Sequence, residues 1–136
     1  MLNRAQRVLL KLYRMMPRKV RRQIVRTAAP SFTVGAICVI HRDDGAQLLV
    51  RQAYRDGWGL PGGLIKRGET TADCARREVY EEVSLRIDVV GEPSVVVDPA
   101  AQRVDIVYRA KVLSPEEAAA AVPSSPEIDE LGWFPP

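Results

Sequence analysis

The sequence predicts a small α/β domain, and three observations lead to this fold class. Runs rich in β-branched residues alternate with segments of helical periodicity. The chain has 136 residues, of which 46% are hydrophobic, and one domain of this size buries a substantial core. No apolar run has the length of a membrane span or a secretory signal, so we expect a cytoplasmic protein.

Charge divides the chain into two regions. Residues 1–30 contain nine Lys or Arg and no acidic residue, whereas the other 106 residues hold eleven basic and seventeen acidic side chains. A basic segment therefore precedes a mildly acidic body, and the two need separate explanations. We predict a basic N-terminal helical segment over residues 1–30 and a folded domain over residues 31–136.

The basic segment has apolar residues at helical spacing. Leu9, Leu12 and Met16 predict a helix over residues 3–16, and Pro17 suits the first turn of a second helix that ends near Thr27. We expect these helices to pack on the domain or on a second subunit, as in a homodimer. Attachment to an anionic membrane surface, with a membrane-peripheral location, is one alternative. Attraction of polyphosphate or nucleic acid is another, which the apolar positions favour less.

The first half of the domain begins with a continuous β-branched run, which predicts a buried strand over residues 33–40. A turn over residues 42–45 leads to a returning strand over residues 48–51. A glycine-rich loop follows over residues 56–68. Residues 71–83 have the clearest helical pattern in the chain.

Short strands alternate with turns in the second half. We predict strands over residues 85–90 and 94–97, and a strand with one buried face over residues 104–112, where apolar and polar residues alternate. Ser114 and Pro115 suit the start of a short helix that ends at Ala121. A last strand is predicted over residues 127–134. Cys38 and Cys74 match no metal-ligand spacing and predict two buried thiols.

Three glutamates crowd one face of the predicted helix over residues 71–83. Glu78, Glu81 and Glu82 share one arc beside an apolar stripe that includes Val79 and Val83. Like charges at this spacing destabilise a helix by a few tenths of a kcal/mol each. A hard divalent cation reverses the sign of this interaction, because Mg²⁺ prefers carboxylate oxygens. The preceding glycines, by contrast, also suit an ordinary tight loop, and only their combination with the acids favours a binding site.

The segment over residues 63–85 resembles the Nudix box, G-x5-E-x7-R-E-U-x-E-E-x-G-U, where U is a bulky aliphatic residue. Eight of its nine defined positions match, and Ser84 replaces the final glycine. The matching residues are Gly63, Glu69, Arg77, Glu78, Val79, Glu81, Glu82 and Leu85. The similarity extends over roughly residues 33–134. The resemblance implies an α/β/α sandwich around a mixed sheet, to which the basic helical segment is added.

The resemblance also implies hydrolysis of a diphosphate linkage in a nucleotide-like substrate, with Mg²⁺ or Mn²⁺ as cofactor. By position, Glu78, Glu81 and Glu82 would bind the metal. Backbone carbonyls near Gly62 and Gly63 would complete the coordination. Arg77 and Glu69 would form the supporting pair that orients the acids.

The box does not identify every functional residue. Glu78 and Glu127 are both candidates for the general base, and Glu127 is equally compatible with an exposed loop position. Arg51 and Arg55 precede the glycine loop and are candidates for binding phosphate oxygens, although solvated surface positions would suit them as well.

The substrate remains open between two classes. Pro99 lies fifteen positions after Ser84, which is similar to the branch that hydrolyses ADP-ribose, and a nucleotide sugar belongs to the same class. The alternatives are a nucleoside triphosphate or oxidised nucleotide, or a Nudix fold that serves as a nucleotide-binding sensor. The intact set of acids favours an enzyme over a sensor.

Overall fold

The structure is a computed structural model that describes residues 3–136 in two compact units, one that ends at Phe32 and one over Thr33–Pro136. The first unit contains α1 (Arg4–Met15) and α2 (Arg18–Ala28). The Asn3 side chain accepts a hydrogen bond from the Gln6 amide, and the Gln6 side chain accepts one from the Asn3 amide, so that α1 begins in a capping box. Neither helix has a buried residue. Among the helices of residues 3–136, none has the length and apolar character needed to cross a membrane.

The second unit combines six strands with two helices. The strands are β1 (Thr33–His41), β2 (Gln47–Gln52), β3 (Gly62–Leu64), β4 (Ile87–Asp98), β5 (Arg103–Val112) and β6 (Ile128–Phe134). The helices are α3 (Thr71–Val83) and α4 (Pro115–Ala120). The α/β class is therefore confirmed.

The strands form one mixed sheet in the order β4-β5-β1-β2-β6, with β3 paired to β1 outside this path. Strands β1 and β5 are parallel along their whole length, from Thr33 opposite Arg103 to His41 opposite Lys111. The other pairs are antiparallel. Because β1 is enclosed by neighbours on both sides, its apolar run is explained by burial.

The glycine-rich loop follows β2 in the sequence and lies between β1 and β2 in the sheet. These strands pair only at His41 and Gln47, next to their turn, and then diverge. The gap is filled by β3, which pairs with residues 35–37 of β1, and by Gly59, which bridges to Val50 of β2. The prediction of an irregular loop over residues 56–68 is corrected at this point, since the loop adds a short strand to the sheet.

A second correction concerns the strands predicted over residues 85–90 and 94–97. The structure has one strand, β4, with a register shift between Val90 and Ser94. Gly91 (φ 70°) and Pro93 lie within this shift, and both residue types are usual at a bulge. The turn residues therefore bend one strand and do not divide it.

Helix α3 covers the centre of the sheet. Cys74, Ala75, Val79 and Val83 are fully buried against the core, together with Cys38 and Ile40 of β1. Both cysteines are free, as the sequence predicts. Burial raises the pKa of Cys38 to about 12 and that of Cys74 to about 11. This packing fixes the helix face that carries the glutamates.

Candidate active site

Helix α3 has defined ends on both sides of the glutamates. The Thr70 hydroxyl accepts a hydrogen bond from the Asp73 amide at 3.1 Å and caps the first turn. Ser84 ends the helix in the left-handed conformation, with φ 54° and ψ 31°. This conformation favours glycine, the residue of the box at this position, and serine adopts it at a cost of about 1 kcal/mol.

A cleft of about 660 Å³ lies beside the glycine loop and the glutamate face of α3. Its acidic lining comes from Glu78, Glu81 and Glu127, which precedes β6. Its basic lining consists of Arg55, Lys66, Arg77 and Arg103. Carboxylates and cations therefore meet in one concave surface, which is a typical arrangement for binding a metal and a phosphate group together.

Glu82 lies behind the wall of this cleft and is only 4% exposed. One oxygen, Oε2, accepts a hydrogen bond from the Gly62 amide at 3.0 Å. Burial, together with the nearby charges of Glu78 and Glu127, raises the pKa of Glu82 to about 7. Hydrogen bonds from Gly62 and Gln52 oppose this increase only in part. A bound cation would therefore stabilise the charged form of Glu82.

Glu78 sits directly over Gly63. A Cβ atom at Gly63 would lie 2.4 Å from Glu78 Cδ, a distance that no real side chain tolerates. At Gly62 the backbone has φ 147°, and a Cβ there would lie 2.3 Å from the Ala36 carbonyl oxygen. Position 62 therefore requires glycine for its backbone and the adjacent strand, whereas a side chain at position 63 would displace the carboxylate of Glu78.

Arg77 connects the acids of the box. It binds Glu69 through two bonds, from Nε to Oε1 at 2.6 Å and from Nη2 to Oε2 at 2.9 Å. Its Nη1 also donates to Glu78 at 2.6 Å and to Glu81 at 3.0 Å. These bonds hold the pKa of Glu69 down at about 2 and raise the pKa of Arg77. The structure thus brings Arg77 and Glu69 together as a bidentate pair at the edge of the cleft.

The other predicted residues divide into two groups. Glu127 and Arg55 line the cleft. Arg51 forms a salt bridge with Glu130 at 2.5 Å on the neighbouring strand β6 and is not part of the cleft lining. Since successive side chains of a strand face opposite ways, Gln52 takes the inward position that Arg51 would need. The placement of Arg51 at the site is corrected accordingly.

Sequence reasoning missed Arg103, Gln52 and Tyr54, which also line the cleft. Arg103 Nε donates to both carboxylate oxygens of Asp105, at 2.8 and 2.9 Å. Arg103 begins β5 and reaches the cleft only because β5 runs parallel to β1. Gln52 lies one residue beyond the predicted strand over residues 48–51, so no sequence signal indicated its inward position.

The donor set suits a hard divalent cation. All four carboxyl groups, from Glu78, Glu81, Glu82 and Glu127, offer oxygen ligands, and Glu82 gains from a nearby cation. Within residues 3–136, no three His, Cys, Asp or Glu side chains are already grouped for metal binding. Arg77 Nη1 holds one oxygen each of Glu78 and Glu81 in hydrogen bonds.

The sequence is similar to known proteins across this region. The NUDIX domain family matches residues 31–136. A MutT-like protein from Streptomyces ambofaciens is 31% identical over 110 residues, which is 81% of this chain and 68% of that protein. The nucleoside triphosphatase NudI from Enterobacter sp. is 36% identical over 75 residues, covering 52% of this chain and 50% of NudI.

Solved structures agree with this similarity. A NUDIX hydrolase from Nitrosomonas europaea superimposes with a TM-score of 0.67 and 28% identity over 77% of this chain. The match spans 58% of that protein's length. A MutT NUDIX hydrolase from Burkholderia pseudomallei superimposes with a TM-score of 0.59 and 28% identity, over 75% of this chain and 81% of that one. The resemblance is therefore confirmed, and this chain belongs to the Nudix hydrolase family.

Proposed function

We propose that the cleft hydrolyses a diphosphate linkage in a nucleoside diphosphate derivative, with Mg²⁺ or Mn²⁺ as the metal. The proposal depends above all on one observation. Glu78, Glu81 and Glu127 line a single cleft directly in front of Glu82, whose pKa is raised to about 7. Arg77 offsets part of the charge of Glu78 and Glu81, but no cation in the described part of the chain pairs with the buried carboxyl group of Glu82, where the charged form is unfavourable.

Glu78, Glu81 and Glu82 would hold the metal, with the backbone carbonyls of Gly62 and Gly63 as further oxygen ligands. Binding requires Glu78 and Glu81 to exchange Arg77 Nη1 for the cation. The bidentate pair with Glu69 keeps Arg77 in place during this exchange, which is how the pair would orient the acids. A bound divalent metal supplies charge neutralisation for the diphosphate and lowers the pKa of an attacking water.

Glu127 is our first candidate for accepting the proton of that water, and Glu78 is the second. Glu127 lines the cleft and forms no salt bridge within residues 3–136, whereas Glu78 is hydrogen-bonded to Arg77. Glu127 approaches the other acids because its carbonyl oxygen accepts a hydrogen bond from the Ala53 amide at 2.9 Å, beyond the end of β2.

Arg55 and Arg103 would bind the phosphate oxygens from the opposite side of the cleft. Arg55 lies 5.6 Å from the centroid of the Tyr54 ring, and Tyr54 is 60% exposed at the cleft. An exposed aromatic face beside an arginine suits a nucleobase that stacks above a phosphate group. This arrangement is common to ADP-ribose, nucleotide sugars and nucleoside triphosphates.

Nucleoside triphosphates are the second substrate class, because the NudI relatives are nucleoside triphosphatases. Pro99, which favours the ADP-ribose class, lies in the exposed turn between β4 and β5. A hydrolysis screen with Mg²⁺ and Mn²⁺ should include ADP-ribose, nucleotide sugars, dinucleoside polyphosphates and nucleoside triphosphates. The preferred class is the one with the highest kcat/KM.

The Glu82→Gln variant tests the metal role in the same screen. We expect kcat to fall at least about 100-fold at saturating metal, because the amide removes an anionic ligand. Glu92→Gln is the matched control, since Glu92 is exposed on β4. Near-normal turnover of Glu82→Gln would exclude the proposed metal site. Tight nucleotide binding without turnover of any substrate would instead indicate a sensor.

A further inference from the structure

The first unit consists of two helices in which charged and apolar residues occupy separate faces. On α1, Arg4, Arg7, Lys11 and Arg14 fall within an arc of about 80° at 3.6 residues per turn. The adjacent side carries apolar residues within an arc of about 120°, and their side chains are strongly exposed. They include Val8, Leu9, Leu12 and Met15, with exposed fractions of 53%, 66%, 52% and 82%.

Helix α2 shows a similar but less complete separation, because Val25 lies on the same side as Arg18. Arg18, Arg22 and Arg26 follow one another at four-residue intervals along one side. Val20 and Ile24 occupy the opposite side and are 44% and 38% exposed. The two helices are 12 and 11 residues long, so each is shorter than 20 Å and far from the thickness of a bilayer core.

This combination selects among the partners that such a surface could bind. A second copy of the same surface would bring nine cations against nine others, with no acid in residues 1–30 to separate them. The phosphates of a nucleic acid would pair with the basic side chains, but the apolar side chains of Leu9 and Met15 would stay in water. An anionic lipid surface meets both requirements, because the headgroups attract the cations and the acyl boundary accepts the apolar faces.

We propose that residues 4–28 bind anionic bilayers as a pair of interfacial helices, with the apolar faces of α1 and α2 inserted at the headgroup boundary. The basic residues flank these faces and contact the lipid phosphates. This attachment is independent of the hydrolytic reaction, since the residues of the cleft all lie beyond residue 50 except Ile37.

The test is sedimentation of the full chain with vesicles of phosphatidylcholine, with and without about one third phosphatidylglycerol. We expect binding to the anionic vesicles at least tenfold tighter than to neutral ones. A double variant, Leu9→Gln with Leu12→Gln, should weaken this binding at least tenfold. Leu10→Gln is the matched control, because Leu10 is equally exposed at 53% but lies outside the apolar arc. Circular dichroism and hydrolysis rates confirm that each variant is folded.

Two results would overturn the proposal. If the double variant binds vesicles and duplex DNA as tightly as the wild type, and salt abolishes both, the attraction is purely electrostatic. In the second result, the full chain does not bind anionic vesicles, and the double variant changes the sedimentation coefficient or the melting temperature. The helices would then dock on a protein surface. The wild-type comparison between the two vesicle compositions decides the matter even if the double variant fails to fold.

Discussion

Helices α3 and α1 have similar lengths, 13 and 12 residues, and each places an apolar stripe beside a charged face. Their environments differ completely. Helix α3 buries five residues, among them Glu82, whereas α1 buries none. The charges of α3 are also fixed by partners within the domain, such as Arg77 and Glu69, while α1 has only cations. The same pattern therefore places glutamates beside a cleft where the fold supplies the second surface, and leaves apolar residues exposed on α1.

Among the variants that test the role of the α3 glutamates, we expect Gly63→Ala to have the largest effect on kcat. The new Cβ would lie 2.4 Å from Glu78 Cδ and displace the carboxylate. Because displacement by about 1 Å can reduce a rate 100-fold, we expect a loss of this size in kcat. Gly59→Ala is the control, since a Cβ there meets nothing within 4 Å. Equal rates for both variants would mean that Glu78 does not act in the position described.

Arg77→Lys should have a smaller effect, between about 10-fold and 100-fold. Lysine keeps the charge but cannot form the two-bond contact with Glu69. We expect the metal concentration for half-maximal rate to rise, because the acids lose their orientation. Arg76→Lys is the control, since Arg76 pairs with Asp73 on the exposed side of α3. An unchanged metal dependence in Arg77→Lys would refute the supporting role.

In the metal-free protein, the pH dependence of stability should report the free-energy cost of ionising the buried carboxyl group of Glu82. Its pKa of about 7 in the fold exceeds the ordinary value of 4.5, so the folded state retains a proton that the unfolded state has lost. Stability consequently falls as the pH rises from about 4.5 to about 7. The charged neighbours are Glu78 and Glu127, while Gly62 and Gln52 donate hydrogen bonds.

The Glu82→Gln variant lacks this titration and should be more stable than the wild type at pH 8, by about 2 kcal/mol. The difference should largely disappear at pH 4.5. Denaturant titrations in a chelator at both pH values measure it. A difference that is the same at both pH values would show that protonation of Glu82 is not its cause.

The smallest effect is expected from Ser84→Gly. Glycine adopts φ 54° without the penalty that serine incurs, so the variant should gain about 1 kcal/mol in the free energy of unfolding. Its kcat should not change, because Ser84 supplies no ligand. Gln102→Gly is a matched case with φ 49° in the turn before β5, remote from α3 in the sequence. An increase in kcat for Ser84→Gly alone would show that the helix end deforms the site.

The helix and the long strands of the domain were predictable because each has a clear local signal. Helix α3 has exactly the predicted bounds, and the continuous apolar run gives β1. Strand β3 lacked such a signal, since Gly62 and Gly63 join the sheet only where β1 and β2 diverge. The spacing of Glu78, Glu81 and Glu82 likewise indicated that they share one face of α3.

Residues that reach the cleft through the sheet were harder to predict. Arg103 depends on the parallel register of β5 with β1, which no local pattern reveals. Arg51 and Gln52 are adjacent in sequence, and the choice of the inward residue depends on how β2 pairs with β6. Motif residues can thus be recognised from the local sequence. The other residues that line the cleft depend on how distant segments pair in the sheet.

The buried thiols of Cys38 and Cys74 have a practical consequence. Both cysteines of the chain lie in the domain, one in β1 and one in α3, and their raised pKa values leave little reactive thiolate at neutral pH. An alkylating reagent therefore modifies them at a rate governed by the separation of α3 from the sheet. The labelling rate therefore reports the opening of this one contact, and no additional cysteine has to be introduced.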